Sequence, residues 1–326
     1  MRYAYPPDAL NFKREYSGIC PKQSGVKNAA SKKAINFFIR GVFCCNNNFI
    51  FPKKSGLLFV FKDIMSPLDF FTIKNRQTPV LAFALHDGHI IDPSLREYLL
   101  LDEQGRAREE DPYTGYMISD LPVTQVIVHS SRFQLDLNRT KDKAVYRKPE
   151  DAWGLKVWDN LPDAGVNELN KRYDRFYKDI AFLIEETIER YGQFFILDVH
   201  SYNHRRESPL QKATSATHPE INLGTAYNQD QWKETCDHFA EFIAQVNVIG
   251  HRPDVRQNVI FKGGAFAQWI IKNYGDYGAV FSVEFKKTFM DEWTGIADIP
   301  HINKLKELLA LSVSFLHNQI KQEISL

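Results

Sequence analysis

Four short, nearly unbroken apolar runs alternate with long stretches of helical period, and this alternation restricts the fold more than any other feature of the chain. The runs lie at 80–85, 123–129, 194–199 and 279–283. Apolar runs of this length without polar alternation suit strands covered on both faces. One helical pattern covers about 166–191, with Leu169, Tyr173, Phe176 and Ile180 on one side and Gly192 as its stop. A second spans about 230–246, and a third follows Gly263-Gly264. The last begins near Pro300, a favoured first-turn residue, and runs towards Gln319. Strands alternating with helices predict an α/β domain with a mixed, mostly parallel sheet flanked by helices.

The first part of the chain has a different character. Residues 1–64 hold eleven Lys or Arg against three Asp or Glu, although the whole chain carries a net charge of only +1. Three of the four cysteines, Cys20, Cys44 and Cys45, lie there, and all ten histidines come later. Residues 1–64 are therefore expected to be a poorly patterned basic extension, disordered or mis-annotated, with an accessory region as the alternative. Residues 65–326 are expected to form a single domain. The single later cysteine, Cys236, implies no disulfide framework and suits a reducing cytoplasm. The apolar stretch 34–43 is interrupted by Arg40 and reads neither as a signal peptide nor as a membrane span. Balanced charge points away from nucleic acid, and the basic stretch lacks the aromatic interleaving of a strand-binding face.

In open α/β sheets ligands bind beyond the carboxyl ends of the strands, and three polar clusters fall at such ends. The sequence HDGH follows the first run, and its His86 and His89 can face one ion across a turn loosened by Gly88. Neutral imidazole is a preferred ligand of zinc. At the third run, Asp198 and His200 flank Val199 and so share one face of a strand; Asp198 is suited to orient an imidazole. Glu284 closes the fourth run, where a carboxylate can take a proton from a metal-activated water. Arg139, in Asp136-Leu137-Asn138-Arg139, offers a planar fork for a carboxylate or a polarised carbonyl, or else pairs with Asp136 structurally. Free amides at the helix opened by Gly263-Gly264 can hold an anion, or the glycines form a plain turn.

With these residues assembled, residues 78–320 resemble the N-formylglutamate amidohydrolase family. The resemblance rests on HDGH at 86–89, REEDPYTG at 108–115, SRFQLDLNR at 131–139, DVHSYNHRR at 198–206 and VEFKKTFMDEWTG at 283–295. It implies a zinc carboxypeptidase-like (phosphorylase/hydrolase-like) fold and one divalent metal ion, zinc by expectation. His86 and His200 become metal ligands, Glu284 the general base, and Asn138 and Arg139 substrate-binding groups, Arg139 also stabilising the tetrahedral intermediate. Spacing makes His89 the third ligand, with Glu110 and Asp111 as rivals. Arg205, Arg206, Lys286 and Lys287 are further cations for a small anionic N-acyl amino acid, and Arg205 and Lys286 are chosen among them.

The implied reaction converts N-formyl-L-glutamate to formate and L-glutamate, a step of histidine breakdown. A peptidase or deacylase of the same fold is the nearest alternative. A non-catalytic metal- or carboxylate-binding protein is the alternative from another class. If the functional domain begins at Met65, a chain starting there keeps full activity and the same thermal midpoint as the full chain; loss of folding on truncation would reject that boundary.

Overall fold

The computed structural model describes residues 69–211, 214–247 and 250–324, so the expectation for 1–64 and the boundary at Met65 lie outside the described residues. In chain order the main elements are β1 (Phe71–Lys74), β2 (Val80–Ala84), α1 (Glu103–Glu109), α2 (Thr114–Ile118), β3 (Thr124–Val128), α3 (Asp163–Tyr191), β4 (Phe194–Tyr202), β5 (Ile221–Gly224), α4 (Lys233–Gln245), β6 (Val255–Gln257), α5 (Ala265–Tyr274), β7 (Gly278–Lys286) and α6 (Ile299–Ile324). The strands form one seven-stranded sheet in the order β1-β3-β2-β4-β7-β5-β6. Its centre, β3-β2-β4-β7, is parallel, whereas β1 on β3 and β5 on β7 are antiparallel. The mixed, mostly parallel α/β sheet expected from the apolar runs is the one observed.

The four expected strands are β2, β3, β4 and β7. The short β1, β5 and β6 have three or four residues each and no apolar run to mark them, so nothing in the sequence sets them apart from loops. The structure also lengthens two expected strands. β4 runs on to Tyr202 and β7 to Lys286, so His200 and Glu284 are strand residues with ladder partners rather than residues of the following loops.

Period-two alternation sends the strand side chains into two apolar layers. Leu81, Phe83, Phe194, Ile196 and Val280 pack with α3 and α5. Val80, Ala82, Phe195, Leu197, Val199, Phe281, Val283 and Phe285 pack with α2, α4 and α6. The long α3 buries Val166, Leu169, Phe176, Ile180, Leu183 and Ile184 along one stripe and stops at Gly192, whose φ of 75° is the left-handed cap. Each such side chain, fully buried, contributes about 1.5–3 kcal/mol.

The two layers part company towards the carboxyl ends of β4 and β7. The stripe facing α4 and α6 stays apolar through Val199, Val283 and Phe285. The opposite stripe changes from Ile196 to Asp198 and His200, and from Val280 to Ser282 and Glu284. All four of these polar side chains are buried. Burial of polar groups is costly unless they are paired, so the fold commits this stripe to a polar centre.

Gly88 shows how tightly the first cluster is packed. A Cβ there would lie 2.2 Å from the carbonyl carbon of His129 and 2.5 Å from the oxygen of Ser130, because the segment runs hard against the end of β3. Close approach, rather than a loosened turn, is what requires glycine. Gly88→Ala is therefore expected to destabilise the protein by about 3 kcal/mol or more, read as a fall in the urea midpoint with an unchanged slope; a midpoint equal to wild type would show that the backbone yields.

Candidate metal centre

His86, Asp111 and His200 form one buried group whose potential ligand atoms all lie within 4.8 Å of one another. The two imidazoles stand 4.9 Å apart, centroid to centroid, tilted by 55°. Nδ1 of His86 lies 3.2 Å and Nδ1 of His200 lies 3.0 Å from the same oxygen, Oδ2 of Asp111. The other nitrogen of each ring is taken by a second carboxylate. Nε2 of His86 donates to Asp136 at 2.8 Å, and Nε2 of His200 donates to Asp198 at 2.9 Å. Carboxylates on the far nitrogens fix which nitrogen faces inward, as in carboxylate–histidine–metal triads. Two Nδ1 atoms and one carboxylate oxygen are a normal donor set for a divalent cation.

Several neighbours hold these groups in place. Asp136 is fully buried, and its second oxygen accepts from Arg132 at 2.9 Å and from the Tyr146 hydroxyl. Burial would raise the Asp136 pKa, but Arg132 and His86 hold it well below the usual carboxylate range. The second oxygen of Asp198 accepts from Ser282 at 3.0 Å, across the β4–β7 register. Asp111 reaches the centre from the loop after α1. Its amide donates to the His86 carbonyl at 2.9 Å, and Ser201 donates to its Oδ1 at 3.1 Å. The buried ammonium of Lys287 donates to the carbonyls of Arg108 and Glu110 at 2.7 and 2.6 Å and pins the same loop from the other side. Burial pushes its pKa down.

Glu284 pairs with His200 in the β4–β7 register. It is 8% exposed, and burial pushes its carboxyl up to about 8. His200 lowers that value, while Asp111 and Asp198 raise it further. Buried together, Asp111, Asp136, Asp198 and Glu284 face two imidazoles and the guanidinium of Arg132. Such an excess of buried negative charge is relieved by protons or by a cation. With the convergent Nδ1 atoms, it fits a divalent metal ion.

The structure places the sequence candidates unevenly. His86, His200 and Glu284 come together. His89 does not join them: its Nδ1 donates to Glu110 at 2.5 Å, and its Nε2 accepts from Arg106 at 3.0 Å, so both ring nitrogens are used. Of the two rivals to His89, Asp111 stands with His86 and His200, while Glu110 pairs with His89. Asn138 spends its groups on the start of α5, its side-chain oxygen accepting from the Phe266 amide at 3.1 Å and its carbonyl from Ala265 at 3.2 Å. Those amides are thereby occupied, which favours the plain-turn reading of Gly263-Gly264 over an anion site. A Cβ on Gly264 would meet Asn138 Oδ1 at 2.1 Å, so this glycine exists for the cap. Nδ2 of Asn138 lies 3.4 Å from Nε2 of His200, the nitrogen turned away from Asp111.

Arg139 stands at the rim, with Nε 3.8 Å from Asp136. Arg205 and Lys286, expected to hold substrate, have other partners. Arg205 donates to Asp291 at 2.8 Å and to the Pro209 carbonyl at 3.1 Å, and Lys286 donates to the His218 carbonyl at 3.0 Å. In the sequence Asp136 is legible only as the partner of an arginine; its bond to His86 has no signature in the spacing.

A family model described as N-formylglutamate amidohydrolase matches residues 78–289. The crystal structure of N-formylglutamate amidohydrolase from Ralstonia eutropha JMP134 superposes with a TM-score of 0.61 at 14% identity, over 78% of this chain and 98% of that one. That likeness establishes a shared fold. A gene product of Agrobacterium tumefaciens is similar at a TM-score of 0.49 and 18% identity, over 76% of this chain and 95% of that one. A metallo-carboxypeptidase from Burkholderia cenocepacia gives 0.29 at 11%, over 74% of this chain and 56% of that one. No curated protein matches.

The ligand assignment is checked by elemental analysis of zinc-loaded protein after dialysis. His89→Asn is expected to retain the ion as wild type does, while Asp111→Ala and His200→Ala hold it at least about tenfold more weakly. The reverse pattern, with His89→Asn losing the ion and Asp111→Ala keeping it, would restore His89 as the ligand.

Proposed function

The chain belongs to the N-formylglutamate amidohydrolase family and is a hydrolase of linear amide bonds; from this premise we propose that it cleaves N-formyl-L-glutamate to formate and L-glutamate, with zinc held by His86, Asp111 and His200. The convergence of His86, Asp111 and His200, with Glu284 across the ladder from His200, carries the reading. Family membership supports the substrate. The donor set and the unbalanced buried charge support the metal.

A divalent ion held there supplies polarisation of the acyl oxygen and a more acidic water. Glu284 accepts the proton of the attacking water and passes it to the departing amino group. Its buried position suits that exchange, because a carboxyl raised from its usual value towards about 8 is neither too weak a base nor too weak an acid near neutrality. A nearby cation opposes the rise, so the working value lies lower than burial alone would set it. Asp136 and Asp198 keep the imidazole rings turned inward. Arg139 at the rim offers a fixed cation to the carboxylate of the substrate or to charge developing on the acyl oxygen. Water adds across the amide, so formate and a free amine account for all atoms.

Formate release from N-formyl-L-glutamate by zinc-loaded protein tests the assignment. Glu284→Gln is expected to keep its zinc and lose at least about a hundredfold in kcat. A wild type that binds zinc and leaves this substrate intact would reject the substrate. A mutant as active as wild type would reject the role of Glu284.

A further inference from the structure

Trp153 occupies an unusual place. It ends a 3-10 turn (Pro149–Ala152) in the left-handed region, with φ 53°, and Gly154 follows at φ 93°. A bulky aromatic residue in that region is a backbone outlier, tolerated where the surroundings hold it. Its ring is 41% exposed and makes an edge contact with Tyr146, centroids 6.1 Å apart at 71°.

Three guanidinium groups gather over that ring. Arg132, Arg206 and Arg139 lie 4.9, 5.3 and 5.9 Å from its centroid. All fall within the range in which a cation is attracted to an aromatic face. Like charges brought together repel, so the ring and nearby carboxylates must offset that cost. Arg132 and Arg139 both lean on Asp136, and Arg206 donates to Glu109 at 2.5 Å.

These ties lead back to the metal centre. Asp136 holds the His86 ring, and Glu109 lies two residues before Asp111. Arg132 is the buried strut, its side chain 11% exposed. The side chains of Arg139 and Arg206 are 40% and 42% exposed, so both are reachable from solvent. Two guanidinium groups held over one ring offer planar forks of the kind that bind a carboxylate. A charged carboxylate gains the attraction of both cations, which an uncharged isostere does not.

We propose that Trp153 is a specificity-determining residue: its ring holds Arg139 and Arg206 as a subsite for the side-chain carboxylate of an acidic amino acid, selecting acidic over neutral N-acyl amino acids. This rests on the amidohydrolase reading for the identity of the substrate, and on the cluster's own geometry for the anion.

The test separates binding from turnover. Titration calorimetry on zinc-loaded full-length protein compares L-glutamate with L-glutamine, which differ in charge and little in shape. Wild type is expected to bind L-glutamate at least about tenfold more tightly. Trp153→Ala and Arg206→Gln are expected to reduce that preference to about twofold or less, while Trp153→Phe retains most of it because a ring face remains. In hydrolysis the same variants shift KM for N-formyl-L-glutamate more than kcat. A wild type without preference, or a folded Trp153→Ala with the full preference, overturns the proposal whether or not the substrate is hydrolysed. Preference behaving as expected with no hydrolysis of N-formyl-L-glutamate upholds the subsite and rejects the reaction.

Discussion

Parallel pairing of β4 with β7 places Asp198 beside Ser282 and His200 beside Glu284 in the buried interior next to the apolar layers, and the other parts of the site answer to that placement. An ionisable group in such surroundings either finds a partner or changes its protonation. Asp198 finds Ser282 and His200; His200 finds Asp198 and Asp111. Glu284, with no such hydrogen bond among the described residues, responds instead with a raised pKa. A carboxylate left poised in this way beside a convergent donor set is what proton transfer at a metal centre requires.

Holding that centre takes more structure than the ligands themselves. Asp111 arrives on a loop, and loops wander unless tied. Here the His86 carbonyl accepts from its amide, while Lys287, 1% exposed, donates to the carbonyls of Arg108 in the last turn of α1 and Glu110 just after it. A lysine ammonium at that depth is costly, so its use as a tether shows how closely the loop must be placed. On the opposite side Arg132 and Tyr146 converge on Asp136, and through it on His86. The chain from Trp153 to His86 thus runs through groups packed or hydrogen-bonded to one another, which ties the rim of the site to its centre.

The local pattern of the sequence makes some of this legible. Apolar runs mark the four central strands, because strands covered on both faces bury most of their side chains in apolar layers. Alternation in 194–202 is enough to put Asp198 and His200 on one face. The edge strands are illegible because three or four half-buried residues carry no periodic signal. His89 departs from its expected place for a physical reason as well. Spacing shows that two imidazoles can meet, but not that Glu110 and Arg106 will claim both nitrogens of one of them. Asn138, expected to bind substrate, likewise gives both its oxygens to the start of α5.

By itself, the sequence determined the α/β class and the central strands, which follow from neighbours within a few positions along the chain, and its ordered motifs pointed to the family and to His86, His200 and Glu284 as candidates at strand ends. Tertiary structure alone decided that Asp111 rather than His89 joins His86 and His200, what Asp136 and Lys287 hold, and the gathering of Arg132, Arg139 and Arg206 on Trp153. Those depend on contacts between segments far apart in the chain, such as Lys287 with Glu110 or Arg206 with Trp153. Spacing along a chain carries no record of which distant group will satisfy a buried charge; that choice is made by distance and desolvation once the sheet has brought the candidates together.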